Sequence, residues 1–283
     1  VLLRGVAMLV EDLLDTTGSM GGNVEIAMRV LPKVYKLLAT GKNAVLGRYD
    51  TQIITSIFGD VQDQYVLQRS QAELDARIAE QMTLMYPEKN GGDTPEDPQY
   101  GLFGAAYLTA ADINRYDKDF KSYHFLVSDA PGRNLLDHKT LTRVFGESVY
   151  DKVSENHNGY YLFAPSDELP TTKDVVRDLQ LRAHAFFLQI DRSSSTTNFW
   201  TEIYGADRVV MIDNAEQLAL VQAAIIGLTE GTLNLQSVSD FLKPEAGNAD
   251  VKRIVQAISH IPIGAQMKAS SFAKLPKRGD IFA

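Results

Sequence analysis

Short apolar runs alternate along the chain with longer segments in which apolar residues recur every three or four positions. The short runs predict buried strands, and the three- and four-residue spacing predicts amphipathic helices. The runs that predict strands lie at residues 9–14, 43–50, 51–61, 122–129, 184–191 and 207–213. Strands that alternate with helices and are apolar throughout are typical of a mostly parallel sheet with helices on both faces. The pattern therefore predicts a doubly wound, Rossmann-like α/β fold.

Helical spacing marks several of the segments between the predicted strands. Residues 24–38 have it, although Pro32 lies inside that helix and is expected to kink or weaken it. The segment "SQAELDARIAEQM" predicts a helix that begins at a capping Ser70. Further helices are expected after "GGDTPED" and over "AEQLALVQAAIIGL", residues 215–228.

The alternation of strands and helices stops near residue 233, which divides the chain into two predicted parts. Residues 1–232 form the α/β domain, with an insertion at about 132–170 that is longer than a plain crossover needs. Residues 233–283 form a C-terminal helical extension and tail, with the helical patterns "LQSVSDFL" and "ADVKRIVQAISHI". A length of 283 residues is long for one domain and short for two, which fits this division.

Composition and charge exclude several classes of function. The net charge is −8, and Lys and Arg form no dense run, so nucleic acid is not an expected partner. The absence of cysteine excludes disulfides, thiolate metal sites and a Cys nucleophile. No apolar run reaches the roughly 18 residues of a membrane span. The lack of cysteine slightly favours the cytoplasm, but the chain begins at Val1 in an apolar stretch, so a cleaved leader stays an open alternative.

Three polar loops stand out because each follows a predicted strand or opens a predicted helix. They are "DTTGSM" (residues 15–20), "GGDTPE" (91–96) and "SDAP" (128–131). In a parallel sheet all three lie at one edge, where ligands bind. They offer two aspartates and several hydroxyls, which are hard oxygen donors that suit Mg²⁺ or Mn²⁺ better than Zn²⁺ or Cu²⁺. The spacing Asp-x-Thr-x-Ser in an extended turn also directs alternate side chains toward one point.

These three loops, in this order, resemble the metal-ion-dependent adhesion site (MIDAS) of von Willebrand factor type A (VWA) domains. The resemblance covers roughly residues 9–228 and implies the VWA fold. It also implies that Asp15, Thr17, Ser19, Thr94 and Asp129 bind Mg²⁺ or Mn²⁺, directly or through water. The function that it implies is a non-enzymatic module that captures an Asp or Glu side chain of a partner protein, alone or in a larger assembly.

Two other functions are weighed against this one. The first is a regulatory domain or subunit that serves an AAA+ ATPase or a protein kinase. The second, less favoured, is a metal-dependent hydrolase. Asp15 is followed two residues later by Thr17 rather than by a second aspartate, and no nucleotide-binding or GxSxG motif occurs. No catalytic residue is therefore predicted. Residues 16–19 taken alone indicate a simple helix-capping turn; with all three loops present, the remaining alternative is a VWA-type fold whose motif is intact but functionally silent.

Structural roles are expected for most of the other noticeable polar and aromatic residues. Asp93 and Glu96 are predicted to cap a helix N-terminus, and Asp191 and Asp213 to cap loops. Core positions are predicted for His124 and His184, and a packing role for the single Trp200. The tripeptide "RGD" at residues 278–280 is interpreted as a chance occurrence.

Glu11 and Asp12 conflict with the expected apolar strand before the first loop. Carboxylates are costly in a buried strand unless they are paired. The sequence therefore predicts that the strand begins at Leu13 or that its start is exposed to solvent.

Overall fold

A computed structural model gives the structure of this protein. The part of the chain that the structure describes comprises residues 5–41, 44–75, 77–90, 94–116, 119–157, 159, 162–163, 166–268 and 272–275. Asp93 and the "RGD" tripeptide lie outside these residues.

A six-stranded sheet forms the centre of the fold, with strand order β3-β2-β1-β4-β5-β6. The strands are β1 (Val6–Asp15), β2 (Tyr49–Phe58), β3 (Leu67–Arg69), β4 (Ser122–Ser128), β5 (Ala183–Ile190) and β6 (Val209–Ile212). All neighbouring strands are parallel except β3, which pairs antiparallel with β2. The predicted mostly parallel α/β sheet is confirmed, and its order reverses between β1 and β4, as in a doubly wound fold.

Helices cover both faces of the sheet. They are α1 (Asn23–Val30), α2 (Pro32–Ala39), α3 (Arg77–Thr83), α4 (Gln99–Phe103), α5 (His138–Phe145), α6 (Val149–Asn156), α7 (Thr172–Arg182), α8 (Ser194–Tyr204), α9 (Leu218–Glu230), α10 (Leu235–Leu242) and α11 (Asn248–Ala257). Helix α4 continues as a π-helix over Gly104–Leu108. Because side chains of β1 alternate between faces, Val10 and Leu14 join one core while Leu13 joins the other.

The helical extension packs on α9, whose side chains are almost all buried. Val238 and Leu242 of α10 and Ile254 of α11 are part of the same core as α9. A helix that is apolar on all sides has to be covered on all sides, and the extension supplies the outer cover. Helices α5 and α6 lie within the segment predicted as an insertion.

Two predicted strands are wrong in their boundaries. The segments 43–50 and 51–61 contribute one strand, β2, which begins at Tyr49 after a turn over residues 45–48. The short edge strand β3 was not predicted at all. Only three residues long and half-buried, it carries no period-two pattern that distinguishes it from a loop.

The helix predicted from Ser70 is also wrong at its start, because α3 begins at Arg77. Ser70 does not cap it. Its hydroxyl accepts the backbone N–H of Thr55 at 3.0 Å, and Glu73 pairs with Ile53 in an antiparallel bridge. Pairing with the edge of β2 overrides the local helical pattern. Pro32, by contrast, interrupts the helix as expected, since it is the first residue of α2.

Glu11 and Asp12 lie in the middle of β1, so both predictions about them are wrong. The strand begins at Val6, and the exposed fractions of Glu11 and Asp12 are 4% and 0%. Pairing makes this possible. Arg69 of β3 forms a 2.8 Å salt bridge with Glu11, and the Gln222 amide of α9 donates to Asp12 at 2.7 Å. Burial still raises the pKa of Asp12 to about 7.

A third buried carboxylate, Glu230, lies at the end of the sheet opposite the three polar loops. It is 2% exposed and accepts hydrogen bonds from the hydroxyls of Tyr49 (3.0 Å) and Tyr123 (2.7 Å). Burial raises the pKa of Glu230 to about 7, although both hydrogen bonds lower it.

His124 and His184 are buried, as predicted. None of the helices in the described residues has the length and apolar character of a membrane span.

Candidate metal centre

The carboxyl ends of β1 and β4 lie side by side, because Leu14 is in register with Val127. Asp15 is the last residue of β1 and is fully buried. Its Oδ1 accepts the Thr17 backbone N–H at 2.8 Å and the Thr17 hydroxyl at 2.6 Å. Its Oδ2 accepts the Ser128 hydroxyl of β4 at 2.6 Å. Asp15 is thus held by its own loop and by β4 at the point where the strand order reverses, which is where doubly wound folds bind ligands.

The first and third loops meet through Ser19 and Asp129. The Ser19 hydroxyl donates to Oδ1 of Asp129 at 2.8 Å and lies 3.4 Å from the Thr17 hydroxyl oxygen. Asp15, Thr17, Ser19 and Asp129 therefore form one connected group of oxygen atoms, which we call the Asp15 cluster. It runs from the fully buried Asp15 to the exposed Ser19. Four of the five residues predicted as ligands are brought together.

Backbone contacts fix the loop that follows β1. Thr16 donates its backbone N–H (3.0 Å) and its hydroxyl (2.8 Å) to the Phe58 carbonyl at the end of β2. The Gly18 N–H donates to the Asn90 carbonyl at 3.2 Å. Residues 16–19 therefore form a tertiary contact between two loops and not a simple helix-capping turn.

The loop that carries Asp129 is held by α8. Thr196 donates its hydroxyl to the Asp129 carbonyl at 3.2 Å, and the Trp200 indole N–H donates to the Ala130 carbonyl at 2.9 Å. Trp200 is fully buried and stacks on Phe187 with ring centroids 4.8 Å apart. The predicted packing role of Trp200 is confirmed, and its indole also positions the third loop.

Thr94, the fifth predicted ligand, does not join the group through any hydrogen bond in the described residues. Its side chain is exposed. Gly91 and Gly92 of the same loop lie outside the described residues. Whether Thr94 is a ligand therefore stays a prediction, as does metal binding by the other four residues.

Glu96 lies beside the Asp15 cluster, and the role predicted for it is wrong. It was predicted to cap a helix, but α4 begins at Gln99 and Glu96 is only 3% exposed. Its backbone bonds to the third loop: the Glu96 N–H donates to the Pro131 carbonyl at 3.0 Å, and its carbonyl accepts the Arg133 N–H at 2.9 Å. The only sequence signal for this position is that Glu96 is two residues from Thr94 in the same polar loop.

Burial and mutual repulsion characterise the carboxylates here. Desolvation raises the pKa of Glu96 to about 8. The negative charges of Asp15 and Asp60 raise it further, whereas a hydrogen bond with Thr17 lowers it. Desolvation raises the pKa of Asp15 to about 6, and Asp129 adds to it. The pKa of Asp129 is also raised, mainly by burial and then by Asp191. Among the described residues, no Lys or Arg forms a salt bridge with Asp15, Glu96 or Asp129.

This donor set fits a hard divalent cation. A positive ion would stabilise the ionised carboxylates that burial disfavours, and hydroxyl and carboxylate oxygens are ligands that Mg²⁺ accepts. In the part of the chain that is described, no three His, Asp or Glu side chains form a group able to hold a metal ion. An ion at this position would therefore depend on the hydroxyls of Thr17 and Ser19 as well as on the carboxylates.

Comparisons with known proteins bear on the fold. No protein-family model matches the sequence, and no curated protein matches it. Among solved structures, the chain is similar to the pilus adhesin SpaC from Lactobacillus rhamnosus GG in its open conformation, with a TM-score of 0.50 and 14% identity. The match covers 85% of this chain and 31% of the adhesin, so this chain spans about a third of the adhesin's length. A likeness at this identity shows a shared fold.

Proximal thread matrix protein 1 (PTMP1) from the mussel byssus is also similar to this chain. One crystal form matches with a TM-score of 0.47 and 11% identity over 80% of this chain and 48% of the mussel protein. A second structure, described as having a zinc-occupied MIDAS motif, matches with a TM-score of 0.46, 11% identity and the same coverage. At these TM-scores the function of this chain has to be argued from its own site.

Proposed function

We propose that this chain is a non-enzymatic, VWA-type protein-binding module that holds Mg²⁺ at the Asp15 cluster and captures a carboxylate of a partner protein. The observation that carries the proposal is the hydrogen-bonded group that joins Asp15, Thr17, Ser19 and Asp129 at the switch point of the sheet. Thr94 is the proposed ligand from the second loop. The pilus adhesin shares the fold, which is compatible with a role in adhesion or assembly.

The graded burial of the cluster supports capture of an external ligand. Asp15 and Thr17 are buried, whereas Ser19 is exposed and Asp129 half-buried, so an ion held here would be open to solvent on one side. On that open side, water would complete the coordination of the ion, and a partner's carboxylate could replace it. A charge-assisted contact with a partner's Asp or Glu is therefore the expected interaction.

Thermal melting in Mg²⁺ and in EDTA tests the ion. The wild type is expected to melt at a higher temperature in Mg²⁺, because an ion that binds only the folded state stabilises it. Asp15→Ala and Asp129→Ala are expected to remove this increment. Asp213→Ala serves as the matched control, because Asp213 follows β6 at the same edge of the sheet but pairs with Arg192 and Arg253.

Partner capture needs a separate measurement. Immobilised wild-type chain, titrated with acidic and amidated versions of the same peptide library, is expected to retain acidic peptides in Mg²⁺ and to release them in EDTA. If the melting temperature is the same in Mg²⁺ and in EDTA, the proposal that the cluster binds an ion is wrong. If Mg²⁺ stabilises the fold but amidated peptides are retained as well as acidic ones, the proposal that the ion captures a carboxylate is wrong.

A further inference from the structure

Two short segments lie side by side at β3, the edge strand of the sheet. The side-chain amide of Gln68 donates to the Tyr86 carbonyl at 2.7 Å, and its oxygen accepts the Tyr86 N–H at 2.8 Å. The two carboxylate oxygens of Glu88 accept the backbone N–H groups of Gln64 (3.2 Å) and Tyr65 (2.7 Å). These four hydrogen bonds fix the backbones of both segments and form a short ribbon.

The ribbon leads to the candidate metal centre. Leu67, the first residue of β3, is in register with Phe58, the last residue of β2. Tyr65 precedes Leu67 by two residues and therefore lies at the same end of the sheet as the three polar loops. Just beyond the ribbon, the Asn90 carbonyl accepts the Gly18 N–H of the first loop at 3.2 Å. A partner bound at the metal centre would thus reach the ribbon without crossing the rest of the surface.

The ribbon exposes large apolar side chains. The exposed fractions of Tyr65 and Tyr86 are 48% and 66%, and that of Leu84, two residues before Tyr86, is 78%. Single exposed apolar residues are common on proteins, but these three lie on or next to one ribbon whose backbone is fixed. Tyrosine offers a large contact area at a low cost in conformational entropy, and it is enriched at protein interfaces. We call Tyr65, Tyr86 and Leu84 the tyrosine strip.

The polar atoms beside the strip are already bonded within the protein. Both oxygens of Glu88 accept backbone N–H groups, and the Tyr65 hydroxyl accepts the Gln64 side-chain amide at 3.0 Å. The two aromatic rings and the Leu84 side chain are left for a partner to contact. Such surfaces gain most from burying another apolar or aromatic side chain.

We propose that the tyrosine strip binds an apolar side chain that the partner protein carries a few residues from its captured carboxylate. In this two-point form the proposal rests on the proposed function, because the ion supplies the other point of attachment. Once the carboxylate is bound, the second contact forms within the complex and adds to the affinity without a second encounter. Burial of one such side chain is expected to tighten binding roughly tenfold.

Binding of designed peptides to the full chain tests the strip. Each probe is a Gly/Ser decapeptide with a single Asp, made without Phe and with one Phe placed one to five residues from the Asp. In Mg²⁺ we expect the best-spaced Phe peptide to bind the wild type roughly tenfold more tightly than the peptide without Phe. Tyr65→Ser and Tyr86→Ser should each reduce this gain, whereas Tyr65→Phe should keep it because the ring is retained. Tyr116→Ser is the matched control, since Tyr116 is 47% exposed but lies toward the end of the sheet where β4 begins.

Melting separates a loss of binding from a loss of structure. The tyrosine variants remove no proposed ligand of the ion, so Mg²⁺ is expected to raise their melting temperatures as much as that of the wild type. Suppose that Tyr65→Ser or Tyr86→Ser lost this increment, or melted in EDTA well below Tyr116→Ser. The tyrosines would then support the structure of the site, and the proposal would fail.

The peptide titrations separate the strip from the proposed function. Asp peptides that bind in Mg²⁺ but gain nothing from Phe, or gain as much in Tyr65→Ser and Tyr86→Ser, would overturn the strip and leave the proposed function standing. A gain that requires the tyrosines but persists in EDTA and with Asn in place of Asp would support the strip and overturn carboxylate capture. No binding of any peptide would overturn both. A wild-type dimer that Tyr86→Ser dissociates, measured by sedimentation, would mean that a second copy covers the strip, and the proposal would fail.

Discussion

Replacing Glu230 by glutamine is expected to change how the stability of the protein depends on pH. Glu230 is buried at the end of α9 and accepts hydrogen bonds from Tyr49 and Tyr123. Its pKa rises from an ordinary 4.5 to about 7 in the folded protein, chiefly because burial disfavours the ionised form. Glutamine has nearly the same shape and can accept at least one of these hydrogen bonds, but it does not ionise.

The sign of the effect follows from which state binds the proton more tightly. Between pH 4.5 and 7 the folded protein keeps the Glu230 proton while the unfolded chain loses it. The free energy of unfolding therefore falls as the pH rises through this range, and it levels off above the folded pKa. Moving a carboxyl pKa from 4.5 to about 7 corresponds to roughly 3 kcal/mol at pH 8. For a chain of this size that is a shift in melting temperature of roughly 5 °C.

Urea unfolding at pH values from 4.5 to 8, followed by circular dichroism, measures this contribution. From pH 4.5 to pH 8, the free energy of unfolding of Glu230→Gln is expected to rise by about 3 kcal/mol relative to that of the wild type. Glu202→Gln, at an exposed position on α8, is the control and should follow the wild type at every pH. Parallel curves for Glu230→Gln and wild type would show that Glu230 titrates normally, and the reasoning would be refuted.

Two further substitutions test a buried salt bridge of β1 and a contact that holds the third loop. Arg69→Gln leaves Glu11 buried without its cation and is expected to cost about 3 kcal/mol or more in urea unfolding, most of which Glu11→Gln should restore in the double variant. A double variant as unstable as Arg69→Gln alone would contradict this account. Trp200→Phe removes the indole hydrogen bond to the Ala130 carbonyl and is expected to cost about 1 kcal/mol or more and to weaken stabilisation by Mg²⁺. An unchanged Mg²⁺ increment in this variant would show that the indole does not position the third loop.

The fold class was predictable because the apolar strands of a parallel sheet are visible in the sequence. The runs that became β4 and β5 are buried at every position, so their pattern has one interpretation. Strand β3 and the segment from Ser70 to Glu73 were not predictable in the same way, since their structure depends on pairing with β2. Local propensity is a weak guide wherever a distant partner decides the conformation.

In the candidate site, too, some features could be predicted from the sequence and others depend on tertiary contacts. The spacing of Asp15, Thr17 and Ser19, with Asp129 after a later strand, is written in the sequence, and the parallel sheet brings the loops together. The sequence does not reveal that Glu11 and Asp12 can lie in a central strand, because their partners Arg69 and Gln222 come from β3 and α9. It also does not reveal that Glu96 and Asp60 are buried, because their burial depends on two loops that meet only in the folded chain. Sequence determines which oxygen donors are available, and tertiary structure determines which of them are buried and left without partners, because burial and pairing depend on contacts between distant segments.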